Sequence, residues 1–307
     1  MRIFITGGSG LVGRNLVDRL SRTHEILAPS HGELDLMAAD RVVEFVRQVA
    51  PDLIIHCAGT VGGIQANIAN PDRFLVENFE VGKNVVLAAA KCGVERLFNL
   101  GSSCMYPREA PNPLKENSIL DGRLEPTNEG YALAKIAVQR LCDYVTRSRP
   151  DLSYNTLIPC NLYGKWDNFD PIRSHLIPAV IRKLHFAKMN NEQIVDIWGS
   201  GRARREFMFA GDLADFVAFS LDRWQELPSI LNVGIGMDYS VDEFYEVVAR
   251  VVGYKGDFRH DLYKPEGMNQ KLVDITSVTE LGWHARTSLD EGVRTTYEFF
   301  LEQEQSR

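Results

Sequence analysis

Residues Thr6–Gly13 read TGGSGLVG, and no other stretch restricts the possible fold as much. The preceding Arg2–Thr6 (RIFIT) is apolar and rich in β-formers, which predicts a buried strand, while Leu11–Arg22 carries apolar residues at helical spacing. Gly8, Gly10 and Gly13 satisfy G-x-G-x-x-G, and Gly7, Gly10 and Gly13 satisfy the looser G-x-x-G-x-x-G. Between a strand and a helix, such glycines permit a tight turn, close approach of a pyrophosphate, and tight helix–strand packing. The helix start adds unpaired N–H groups and a partial positive charge. Gly7, Gly8, Ser9, Gly10, Leu11, Val12 and Gly13 are therefore expected to line a dinucleotide. A glycine turn with a purely structural role is the plain alternative.

The rest of the first half alternates short apolar runs with helical patterns, as a parallel sheet with crossover helices does. Strands are expected at His24–Ala28, Leu53–Ala58, Arg96–Leu100 and Tyr154–Pro159. Helices are expected at Ala39–Val49, Pro71–Cys92 (closed by Gly93) and Tyr131–Ser148. Right-handed crossovers stack these into a doubly wound α/β Rossmann sheet.

After Tyr163 the pattern changes. Loop residues cluster at Gly164–Pro171, followed by a helix at His175–Lys188, a short strand IVDIWG and the basic run GRARRE. A helix at Asp212–Leu221 and a strand at Ile230–Gly234 are expected to return to the main sheet. The expected division is a dinucleotide-binding domain at 1–163, with 209–235 returning to it. A smaller interleaved substrate domain then comprises 164–208 and 236–307. The polar end, Glu302–Arg307, is expected to fray.

Composition narrows the function. The 307 residues are 45% hydrophobic and 24% charged, ordinary for a globular protein, and the net charge of −7 opposes non-specific nucleic-acid binding. The five cysteines (Cys57, Cys92, Cys104, Cys142, Cys160) are scattered, without metal-ligand spacing, which fits a reducing compartment. No metal site is expected. No apolar run approaches the roughly 20 residues of a membrane helix. The chain starts directly with a strand and leaves no room for a signal peptide, so a cytoplasmic protein is expected.

An acid at the end of the second strand would bind the ribose 2′-hydroxyl of NAD. Here that stretch is Ala28-Pro29-Ser30-His31. Ser30, His31 and Arg14 could instead face a 2′-phosphate, which favours NADP over NAD.

Tyr131 and Lys135 lie four apart in YALAK and so share a helix face. A nearby ammonium is expected to lower the tyrosine pKa and suit it to give or take a carbonyl proton. Lys135 can also reach the nicotinamide ribose. YxxxK alone is common, and a surface pair is the bland reading. Its position about 30 residues past Gly101-Ser102-Ser103-Cys104 lifts it, because that stretch follows a strand at the ligand-binding sheet edge. Ser102 could hydrogen-bond a substrate oxygen there. Cys104 could be a small buried hydrophobe or a proton donor and acceptor. His175, at the start of the first substrate-domain helix, is by itself as consistent with a structural histidine.

Longer blocks carry a resemblance: GSSCMYP (101–107), EPTNEGYALAK (125–135), NLYGKWDNF (161–169), SHLIPA (174–179) and WGSGRARREF (198–207). VGGIQANIANP (61–71) and KLVDITSVTELGW (271–283) extend it over nearly the whole chain. They resemble the GDP-L-fucose synthase family, GDP-4-keto-6-deoxy-D-mannose 3,5-epimerase/4-reductases of the extended short-chain dehydrogenase/reductase superfamily.

The resemblance implies NADPH, a GDP-sugar substrate and a homodimer. It implies that Cys104 and His175 exchange protons at C3 and C5, and that Ser102, Tyr131 and Lys135 serve the C4 carbonyl. Leu100, Pro159, Asn161, Leu162 and His175 would add cofactor contacts. Lys183, Trp198, Arg205 and Lys271 would hold the substrate, Arg205 suiting a diphosphate.

Cys160 replaces a usual threonine, and Gly130 a common proline. Pro29 and His31 stand where bacterial members often carry arginines. Lys165-Trp166 replaces Pro-His, which points to a modified sugar pocket. Two alternatives remain open: an enzyme acting on another GDP-4-keto sugar of colitose or deoxy-heptose type, and a non-catalytic NADP-binding regulator. The apolar faces of Phe74–Ala90 and Tyr131–Val145 could serve a dimer or the core.

Overall fold

The structure, a computed structural model, describes residues 1–171, 174–264 and 268–306. The first half runs β1 (Arg2–Thr6), α1 (Leu11–Leu20), β2 (Glu25–Leu27), α2 (Ala39–Val49), β3 (Leu53–His56), α3 (Ile64–Ala69), α4 (Pro71–Cys92), β4 (Arg96–Leu100), α5 (Glu129–Ser148) and β5 (Ser153–Pro159). There follow β6 (Asn161–Tyr163), α6 (Leu176–Met189), β7 (Ile194–Trp198), β8 (Arg204–Arg205), β9 (Phe207–Phe209), α7 (Ala210–Leu221) and β10 (Ile230–Val233). The chain ends with β11 (Tyr239–Ser240), α8 (Val241–Val252), β12 (Asp257–Asp261), β13 (Gln270–Lys271), α9 (Thr276–Glu280) and α10 (Leu289–Gln305).

The central sheet has six strands in the order β10-β5-β4-β3-β1-β2, and every neighbouring pair is parallel. Strands covered by helices on both faces are apolar throughout; β3, LIIH, is buried at all four positions. The order reverses direction at β1, so β1 and β3 open the crevice in which such sheets bind ligands. Two apolar clusters flank the sheet, one around Ile3, Ile55, Phe98 and Phe216, the other around Phe4, Ile54, Val86 and Leu97. Alternate residues of one strand thus feed opposite layers.

A third cluster, with Ile181, Leu184, Phe244, Val248 and Phe300, packs α6, α8 and α10 together. Local signals set these helices. Ser240 with Glu243 and Ser288 with Glu291 form capping boxes at the starts of α8 and α10. Pro71 opens α4, and Gly93 closes it at φ +71°.

Element ends differ from the sequence reading by a few residues; α1 stops at Leu20, and α5 begins at Glu129. Of the polar end Glu302–Arg307, Arg307 lies outside the described residues. The helix α10 continues to Gln305, because Phe300 and Leu301 anchor its last turns in the third cluster.

Candidate active site

The glycine turn closes against β3. Gly7 has φ +69°, and a Cβ there would stand 2.7 Å from the Ala58 Cα. A Cβ on Gly13 would lie 2.1 Å from the Gly7 carbonyl oxygen, which is impossible without moving backbone. Gly10 is different, because its nearest neighbour would be at an ordinary 3.5 Å. Gly10 caps α1 without any side-chain hydrogen bond, and the first turn carries no acid. Those free N–H groups fit a pyrophosphate, and Ser9, Leu11 and Val12 flank them.

At the end of β2 the structure adds a residue the sequence reading missed. The Ser30 N–H and hydroxyl each donate to one Glu33 carboxylate oxygen at 2.7 Å. These two bonds hold the Glu33 pKa below the usual carboxylate value. The Ser30-x-x-Glu33 spacing is that of a capping box and could have signalled it. Glu33 lies two residues beyond the Ala28–His31 stretch, which itself holds no carboxylate, and folds back onto it. His31 stays exposed, 3.9 Å from Asp35, and Arg14 Nε donates to the Ser9 carbonyl.

At the end of β4, Ser102 accepts a hydrogen bond from the Cys104 N–H at 3.3 Å and starts a single 3-10 turn, Ser103–Met105. This turn points Ser102 and Cys104 toward the start of α5. There the Ser102 side chain hydrogen-bonds Tyr131. Lys135, one helical turn on, donates to the Leu100 carbonyl at 2.8 Å, with its Nζ 5.8 Å from the Tyr131 ring centre. Burial pulls the Lys135 ammonium down to about 8.

The expected lowering of Tyr131 is corrected. Enclosure by protein and the neighbouring Cys104 raise its pKa, against the Ser102 hydrogen bond. Lys135 is turned to the Leu100 carbonyl, so the phenol stays protonated and is fitted to donate. Behind it, Thr6 Oγ1 and His56 Nδ1 lie 2.8 Å apart, and burial holds His56 neutral, its pKa near 3.

Cys104 receives two donors: Asn128 Nδ2 at 3.2 Å and Lys271 Nζ at 3.3 Å. Asn128, which ends the turn before α5, was not singled out by sequence, and its Oδ1 is buried without a hydrogen-bond partner. His175 immediately precedes α6 and is exposed. Surrounding protein atoms, and then the Lys271 charge, hold its pKa below the usual histidine value. Lys271 on β13 is the register partner of Arg205 on β8, so two cations stand side by side, with the Glu125 carboxylate acting on Arg205.

Lys183 and Trp198 lie apart from this centre in their contacts. The Lys183 ammonium is tied to the Asp196 carbonyl, and Trp198 is 54% exposed with Lys264 over its ring. Pro159 is buried at the end of β5, Leu162 is half-buried, and the Asn161 amide donates to the Glu206 carbonyl at 2.8 Å. Among the described residues no group of three or more His, Cys, Asp or Glu could hold a metal ion.

Residues 3–234 match the model of the NAD dependent epimerase/dehydratase family. The chain is 50% identical over 301 residues to a GDP-L-fucose synthase of Azorhizobium caulinodans, covering 98% of this chain and 96% of that protein. It is 47% identical over 302 residues to a GDP-L-colitose synthase of Yersinia pseudotuberculosis, covering 98% of each. Among solved structures, a GDP-mannoheptose C4 reductase from Campylobacter jejuni with NADP bound superposes with a TM-score of 0.89. That pair is 29% identical and covers 98% of both chains.

Proposed function

This chain belongs to the NAD dependent epimerase/dehydratase family, and we propose that it converts GDP-4-keto-6-deoxy-D-mannose to GDP-L-fucose with NADPH. Two steps share one pocket: epimerisation at C3 and C5, then reduction at C4. The observation that carries this reading is the meeting of Cys104 with Ser102 and Tyr131 at one sheet edge, in a chain 50% identical to a GDP-L-fucose synthase. A reductase alone needs no second acid–base pair.

The substrate's C4 ketone acidifies the protons on C3 and C5. Cys104 and His175 remove and return them, while Ser102 and the protonated Tyr131 donate to O4 as enolate charge develops there. When bound, NADPH supplies hydride equivalents for C4. Tyr131 gives O4 its proton, and Lys135 holds the ribose side of the pocket.

The glycine turn from Gly7 to Gly13, with Leu100, Pro159, Asn161 and Leu162, would carry the cofactor in the part formed by 1–163 and 209–235. Residues 164–208 and 236–307 would carry the GDP-sugar through Arg205, Lys271, Lys183 and Trp198. We further infer a cytoplasmic homodimer joined through α4 and α5, which expose Leu75, Val76, Leu87, Leu133 and Tyr144. No described helix is long and apolar enough to cross a membrane. A second reading, a GDP-4-keto sugar of colitose type, is favoured by the 47% identity to a colitose synthase and by Lys165-Trp166.

The test is incubation with GDP-4-keto-6-deoxy-D-mannose and NADPH in D₂O. Deuterium at C3 and C5 with NADPH consumption is expected; no deuterium at either carbon sinks the epimerase claim. Tyr131→Phe should lower the reduction rate about 100-fold or more. Cys104→Ser should lose exchange yet still reduce a ketone supplied already epimerised.

A further inference from the structure

The Cys104 sulfur is approached from two independent parts of the fold. Asn128 Nδ2 comes from the turn before α5, and Lys271 Nζ comes from β13, 167 residues beyond Cys104 along the chain. An amide NH₂ and an ammonium have only donors to offer. The sulfur is therefore the acceptor in both contacts.

Lys271 is held in place for this. Its carbonyl accepts the Glu206 N–H at 3.2 Å. The next two N–H groups are also fixed: Leu272 donates to Asn112 Oδ1 at 2.8 Å, and Val273 to Glu206 Oε2 at 2.9 Å. Arg205, its register partner, stands beside it, so a diphosphate has a cation without Lys271. The groups facing Cys104 are Ser102 on its own turn, Asn128 and Tyr131 at the start of α5, and Lys271. Lys271 also acts on His175 at the start of α6.

We propose that Lys271 is a positioning residue for Cys104, its ammonium and the Asn128 amide keeping the sulfur a proton acceptor and balancing the charge it carries. This rests on the reading of Cys104 as the group that takes a proton from carbon. For the step to run, the thiol proton has gone to solvent and the thiolate lies beside the Lys271 ammonium. The thiolate then takes the proton from C3 or C5 and becomes the thiol, the C–H electron pair moves into the enolate, and O4 is held by Ser102 and Tyr131. The same ammonium makes a protonated His175 a readier donor, so one charge favours a base on one side and an acid on the other.

The experiment uses the substrate-free protein. Iodoacetamide alkylation of each cysteine is followed at pH 7 by peptide mass, with the partly exposed Cys92 as internal standard. In the native chain Cys104 should react at least tenfold faster than Cys92. Lys271→Met should slow Cys104 at least tenfold and leave Cys92 unchanged, and Lys271→Arg should restore most of the rate. A Cys104 rate within twofold of native in Lys271→Met, or no rescue by arginine, overturns the proposal. If Lys271→Met does not fold, the native chain decides alone, since Cys104 reacting no faster than Cys92 also overturns it.

Deuterium exchange separates this from the catalytic reading. Exchange that persists in Cys104→Ser removes Cys104 from the epimerisation, whatever alkylation shows. Exchange lost in Cys104→Ser, with native alkylation in Lys271→Met, removes only Lys271.

Discussion

At Ser30 a backbone N–H and a hydroxyl both serve one oxygen of Glu33. A 2′-phosphate approaching the end of β2 would want those same donors and would meet the carboxylate charge. Two unit charges about 4 Å apart in water repel by about 1 kcal/mol. Removing the charge in Glu33→Gln should therefore tighten NADPH roughly fivefold, and leave NADH, which lacks the 2′-phosphate, nearly unchanged. Fluorescence titration of both nucleotides measures this, and equal shifts for the two would contradict it. Ser30 is found by counting along the strand, and Glu33, three residues on, carries the S-x-x-E spacing that marks the contact. Sequence reading found Cys104 by its distance from Ser102, but not Lys271 as its neighbour. That contact joins residues far apart in the chain, which no local spacing encodes.

Within elements, the turn between β1 and α1 separates two reasons for being glycine. Gly13 packs its α-carbon against the Gly7 carbonyl, whereas Gly10 has ordinary space around it and a normal φ of −83°. Gly13→Ala should thus destabilise the fold by about 1–3 kcal/mol through overpacking. Gly10→Ala should leave urea unfolding within about 0.5 kcal/mol of native yet weaken NADPH, because the methyl group occupies the approach to the α1 N–H groups. Loss of stability in Gly10→Ala without loss of affinity would reverse the assignment. The motif located this turn from sequence, since strand, glycines and helix are contiguous. The same holds for β4, α5 and β5, whose apolar periods are long. The two-residue strands β8 and β13 were not legible, because what defines them is each other, 66 residues apart.

Across the whole molecule, Glu206 ties together pieces that sequence order keeps separate. Its carboxylate accepts the N–H groups of Ile235 and Gly236 after β10 and of Val273 after β13, from a site with no solvent exposure. No motif announced it, because a lone glutamate in a basic run reads as surface. Burial raises its pKa from 4.5 to about 7, more than the three backbone N–H groups lower it. The folded chain thus keeps a proton between about pH 4.5 and 7 that the unfolded chain gives up. The unfolded state binds fewer protons in that window, so this group's contribution to stability is full below about 4.5 and falls as pH rises to about 7. At about 1.4 kcal/mol per pH unit, the loss is about 3 kcal/mol. Glu206→Gln cannot titrate and presents an NH₂ to N–H donors, so it should be less stable than native at pH 5. That gap should narrow by about 3 kcal/mol by pH 8. Comparing the two chains cancels the opposite trend of His56, whose pKa near 3 makes stability rise toward neutrality in both. Urea unfolding at the two pH values reads the gap. A constant gap would mean that Glu206 stays ionised in the folded protein, its three backbone N–H groups outweighing its burial.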